Sequence, residues 1–180
     1  MAVPRKSLLG RLRDDPRGVS AVEFALLAPV MIAFYFGLAE FCQGYMAQKR
    51  MGHVSAVVAD LVAQSDTIQS SQMTDMFRIG DLVMQPFSST PLHQRASSLT
   101  RDANGIVKVD WSQGVGMAAR STGSTVVIPD GLIENGESVI MTEATYDYDS
   151  PVDYLMPSIT RFSQTYYLRP RTVDRITYTS

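Results

Sequence analysis

The chain has 180 residues, a net charge of −2 and a single cysteine, which leaves room for one domain and an appendage. A balance so close to neutral supplies no basic field to neutralise phosphates and gives no support to a nucleic-acid partner; Cys42 alone excludes an internal disulfide. The charge is unevenly spread. Residues 1–18 hold Arg5, Lys6, Arg11, Arg13 and Arg17 against Asp14 and Asp15, and residues 19–39 then carry one charge, Glu23. A basic leader followed by an apolar run is a targeting or membrane signal.

From Phe24 to Ala39 no charge interrupts the sequence, and the flanking Val19–Val22, Phe41 and Cys42 bring the run to spanning length. Glu23 and Glu40 bracket it seventeen residues apart, about 25 Å along a helix, close to the ~30 Å hydrocarbon thickness. The excess of basic residues before the run predicts a cytoplasmic N-terminus. Pro29 is tolerable in a membrane helix, where neighbouring groups satisfy the freed carbonyl. Helical patterning continues past the apolar run, with Val54, Val57, Val58, Leu61 and Val62 at i, i+3, i+4, i+7 and i+8. One long helix is therefore predicted from about Ser20 to Gln64, its second half needing a partner surface.

A second helix is predicted from about Ser71 to Met84, with Met73, Met76, Phe77, Gly80 and Val83 or Met84 on one side and Pro86 ending it. The period then changes to two. Asn104-Gly105 reads as a hairpin turn, and Val107, Val109 and Trp111 alternate with Lys108 and Asp110 as a half-buried strand. Ile140, Ala144, Tyr146 and Tyr148 share a face of another strand closed by Pro151. Phe162, Tyr166 and Leu168 do the same in a last one that stops at Pro170. Residues 114–129 and the IPDG turn read as a long loop. The expected organisation is a leader at 1–18, a transmembrane helix at 19–44 and an exported α+β head at 45–180, with the long helix lying across an antiparallel sheet.

The stretch RGVSAVEFALLAP carries the most information. Gly18 ends the basic leader, Glu23 follows five residues later, and Phe24 opens the apolar run. In this the sequence resembles the type IV-like prepilins, and more closely the TadE-like family of the tight-adherence (Tad) pilus system. Glu137-Ser138-Val139-Ile140 and Tyr167-Leu168-Arg169-Pro170-Arg171 look like the family's tail. The resemblance implies cleavage by a prepilin peptidase between Gly18 and Val19. It also implies partners among other pilus subunits and an inner-membrane assembly platform, and no cofactor. Physically, a carboxylate inside a span costs roughly 2.5–3.5 kcal/mol at mid-membrane and less near an edge, so such residues are usually paired. A freed Val19 ammonium on one subunit and Glu23 on a neighbour would form such a pair, and Phe24 is the assembly residue beside it. Two other readings stand: an uncleaved TadG-like anchored protein, and a secreted protein cut after Gly37-Leu38-Ala39 ahead of Glu40. Phe36 and Pro29 lie within the expected span in the first two.

The head offers little chemistry. His53 and His93 are isolated from any partner at metal-ligand spacing, no G-x-S-x-G elbow is present, and the glycines form no phosphate-binding loop. Asp147, Asp149 and Asp153 lack the remaining ligands of a calcium loop and read as a solvated strand end. The tyrosines (Tyr146, Tyr148, Tyr154, Tyr166 and Tyr167), without basic residues between them, read as strand packing. The chain is expected not to be an enzyme.

Overall fold

The computed structural model describes residues 16–150 and 160–179. Most of the basic leader, with Arg5, Lys6, Arg11 and Arg13, lies outside the described residues, as do Pro151, Asp153 and Tyr154. A single helix, α1 (Pro16–Ala63), carries the chain through the apolar run and on into the head. Pro16 stands at its first position, where a missing N–H is one of those left unpaired anyway. Pro29 lies inside it without interrupting it. Two layers then build the head against the second half of α1.

A short strand β1 (Thr67–Gln69) leads into helix α2 (Ser70–Met84). Gln72 Oε1 accepts the backbone N–H of Gln69 at 2.8 Å, satisfying a donor at the entry to α2. Its buried residues are Met73, Phe77, Gly80 and Met84, the apolar side expected, with Met76 and Val83 partly buried beside them. Gln85, in an extended conformation ahead of Pro86, ends the helix. Strands β2 (Leu92–Arg101), β3 (Val107–Val115), β4 (Ser138–Tyr148) and β5 (Thr160–Leu168) form one antiparallel sheet in the order β3-β2-β4-β5. A last strand, β6 (Thr177–Thr179), pairs in parallel with β1. The fold is thus α+β, as expected, with this small parallel pair added.

Each sheet face is covered by a different kind of layer. Toward α1 and α2 point Leu92, Ala96, Trp111, Ile140, Ala144, Tyr146 and Tyr148, which pack with Met51, Val54, Val58 and Val62 of α1. Thr142 Oγ1 donates to the carbonyl of Ser55 at 2.8 Å, a buried tie from sheet to helix. The other face packs Leu99, Val107, Val109, Val139 and Met141 under Val126 and Ile133 of the long loop. In the expected strand Val107, Val109 and Trp111 are buried and Lys108 is exposed, yet the buried residues serve both cores. Ser98 pairs with Trp111 and Leu99 with Val109, so Asp110 is the extra residue of a bulge, which turns Trp111 to the opposite face. Asp110 Oδ2 is held there by Thr100 Oγ1 at 2.6 Å and Ser98 Oγ at 3.2 Å. Trp111 Nε1 then donates to Ile176 O at 2.8 Å, joining the sheet to the C-terminal segment.

The hairpin expected at Asn104-Gly105 is present, but its turn is centred earlier. Gly105 N donates to Asp102 O at 3.0 Å, while Asp102 Oδ1 accepts from the amides of Asn104 and Ile106. Gly105, with φ of +82°, takes the left-handed position that follows such a turn. The buried stripe of α1 is also rotated from the expected one. Met51, Val54, Ser55, Val58, Ala59 and Val62 are buried, whereas Val57 and Leu61 are half-buried against the exposed edge of β5. Tyr166 overhangs that edge and stays 40% exposed.

Candidate functional site: the N-terminal helix

Residues 19–36 of α1 stand clear of the head. Val19, Val22, Phe24, Leu26, Leu27, Val30, Met31, Ile32, Phe34, Tyr35 and Phe36 are all exposed. A run of aliphatic and aromatic side chains in water is costly, so this surface calls for an apolar surrounding. Among the described residues α1 is the one helix long and apolar enough to cross a membrane. Gly18 lies in its first turn. Val19 and Glu23, one helical turn apart, share a face, and Glu23, Phe24 and Pro29 are exposed with Phe36.

Glu40 differs. It is fully buried, and with Gly37, Gly44, Ala47 and Met51 it forms a face of α1 covered by the head. The spacing of three and four residues puts all five on one side. On the opposite side Phe41, Tyr45 and Met46 remain exposed, and the Lys49 ammonium sits 5.4 Å from the centre of the Tyr45 ring. The segment expected to span the membrane, 19–44, therefore has two parts: a bare helix to Phe36 and a helix gripped on one side from Gly37.

The two tail motifs meet in space. Arg169 Nη2 lies 2.8 Å from a Glu137 carboxylate oxygen and also donates to Leu132 O at 3.1 Å, joining the end of β5 to the start of β4. Arg171 pairs with Asp60 through its side chain, and its N–H donates to Ala63 O at 2.9 Å, fixing the tail to the end of α1. These residues hold the head on its helix.

A charge cluster that no motif indicated lies on the loop-covered face of the sheet. Glu143 receives Arg95 Nε and Nη2 in a two-point pair, both at 2.7 Å, and Arg120 Nη2 at 2.8 Å. Arg95 also donates to Ala118 O at 2.8 Å, so the cluster pins the loop to β2 and β4. Burial pushes the Glu143 carboxyl up, but the two guanidinium groups outweigh it and hold it below the usual range. Its one sequence signal was an acid in the middle of an apolar strand. Elsewhere, Asp147 pairs with Arg161 at 2.6 Å, which lowers its carboxyl, and stands 3.9 Å from His93 Nε2. Asp147 is thus engaged by a cation of the chain itself, Arg161. Among the described residues no group of three His, Cys, Asp or Glu side chains gathers as a metal site.

An exposed helix, long and apolar enough to cross a membrane and continuing into an α+β head, fits a membrane-anchored protein. Over residues 18–60, most of α1, the chain is similar to the family model described as TadE-like protein. Neither the curated proteins nor the solved structures include a match. The family is one of pilus structural or minor subunits, and its segment on an apolar N-terminal helix fits a membrane protein associated with a Tad pilus.

Proposed function

We propose that this protein is a non-enzymatic pseudopilin or minor pilin of a Tad-type pilus, held in the bacterial inner membrane with its N-terminus in the cytoplasm and its head in the periplasm. The observation that carries the proposal is the TadE-like match over a helix whose apolar part, from Val19 to Phe36, is exposed and carries one carboxylate, Glu23. A prepilin peptidase cuts between Gly18 and Val19. The new α-amine, cationic at neutral pH, pairs with Glu23 of an adjacent subunit in a setting where an unpaired carboxylate is disfavoured. Phe24 packs beside that pair. The head meets the other pilus subunits and the assembly platform, and contributes to adhesion through them.

The signal-peptide reading fares less well on the geometry. A cut after Ala39 would run through the middle of α1, between Gly37 and Glu40, both buried under the head. Intact mass of the protein recovered from membranes tests the proposal. A chain beginning at Val19 is expected; one beginning at Glu40 overturns it, and an uncut chain leaves a TadG-like anchored protein. Glu23→Ala tests the pairing separately. Piliation and surface adhesion should be lost while the protein still accumulates in the membrane, and unchanged piliation sinks the role given to Glu23.

A further inference from the structure

The end of the head nearest the bare helix can be located from the packing. Thr142 of β4 bonds to Ser55 of α1. Six residues further along β4, Tyr148 lines a cleft with Gln43, twelve residues back along α1. Six strand residues at ~3.3 Å and twelve helical ones at ~1.5 Å come to about 18–20 Å, so β4 runs alongside α1 in the opposite direction. Its Tyr148 end points at the exposed apolar segment. Leu92, which opens β2, pairs with Tyr146, bringing the α2–β2 connection to the same end. There Phe87, Ser88, Asp147 and Asp149 line the same cleft with Gln43 of α1. Gln43 lies seven residues beyond Phe36, about 10 Å along the helix.

With hydrocarbon ending near Phe36, headgroups fill the next ~5–7 Å, since a bilayer with a ~30 Å core measures about 40–45 Å in all, and Gln43 stands at the outer margin of that layer. A separate feature gives the same level. On the far side of α1 the exposed Phe41 and Tyr45 rings, with Lys49 above Tyr45, have the aromatic and snorkelling composition of a membrane interface. We infer that the foot of the head, formed by residues 86–91 and 146–149 around Gln43, docks on the phospholipid headgroup layer of the membrane that holds α1. This rests on the anchor reading above. Docking would set the height and tilt of the head before any other subunit is met.

The full chain in vesicles of phosphatidylethanolamine and phosphatidylglycerol tests this. On a Cys42→Ser background a fluorophore is attached at one of three positions: the bare helix (Ala33→Cys), the foot (Ser88→Cys) or the far end of the head (Asn135→Cys). Lipids brominated in the acyl chains should quench the label at 33. Lipids carrying a headgroup nitroxide should quench the label at 88 several-fold more than the one at 135. Equal quenching at 88 and 135, with the label at 33 quenched by brominated lipid, overturns the docking while leaving the anchor intact. An unquenched label at 33 overturns both.

Discussion

Replacing Glu143 by glutamine keeps the shape of the side chain and removes the charge on which Arg95 and Arg120 converge. The Arg95 and Glu143 side chains are only 15% and 16% exposed, so water replaces little of what is lost. Arg120, at 30%, can swing outward. Hydrogen bonds to charged groups contribute about 1.5–3 kcal/mol net, and removing one partner of a buried ion pair costs about 3–5 kcal/mol. Partial exposure and the amide oxygen that glutamine retains bring the expectation to roughly 2–3 kcal/mol. Trp111, the only tryptophan in the chain, is buried with its indole N–H bonded to Ile176, and reports unfolding directly. In urea titrations of the full chain in detergent, a slope near ~2 kcal/mol/M translates this loss into a midpoint lower by about 1–1.5 M. A fall under ~0.3 M would mean that the cluster behaves like a surface pair, and would refute the reasoning.

Acid should act through the same carboxylate. Its folded pKa is depressed, so its contribution is present above the ordinary glutamate range and is lost as pH falls through the folded value. The urea midpoint should therefore drop below about pH 4, less steeply in the Glu143→Gln variant than in the parent. Gly80→Ala should destabilise by about 1–3 kcal/mol despite the better helix propensity of alanine. The added Cβ would lie 2.2 Å from Gln94 Oε1 and 3.0 Å from Val54 Cγ1; combining it with Gln94→Ala should cost less than the sum of the two changes, measured in the same titration. Deleting residues 176–180 removes β6 and the carbonyl that Trp111 bonds, and should shift tryptophan emission to longer wavelength in the folded chain.

How far the sequence revealed the fold depends on the range of the interaction involved. The long helix was legible because each of its causes is local: an apolar run, a 3.6-residue period and no breaker other than Pro29, which a membrane tolerates. The second helix and its stop at Pro86 were legible for the same reason. What escaped needs partners distant in the chain. The bulge at Asp110 exists because Ser98 and Thr100, on the neighbouring strand, bond its carboxylate, and no period-two pattern announces the change of face. Strand β6 is three residues long and is defined by β1, more than a hundred residues earlier. Arg120 sits in an irregular loop, with nothing nearby to mark it as a partner of Glu143. In the helix itself, Gly18, Glu23 and Phe24 were visible as a motif. Burial of Glu40 was not, because a glutamate flanking an apolar run reads equally well as its interfacial end.

The grip on Gly37, Glu40, Gly44 and Ala47 has a mechanical consequence. The bare stretch from Val19 to Phe36 enters the clasped stretch without a break in hydrogen bonding, so there is no hinge at which pull and load can separate. A force that draws the clasped part of the helix outward acts at once on the sheet above it, and turning the head turns Glu40 with it. From Gly37 upward the chain moves as one peg, and among the described residues of α1 a built-in place to bend is Pro29, in the exposed stretch between Glu23 and the clasp.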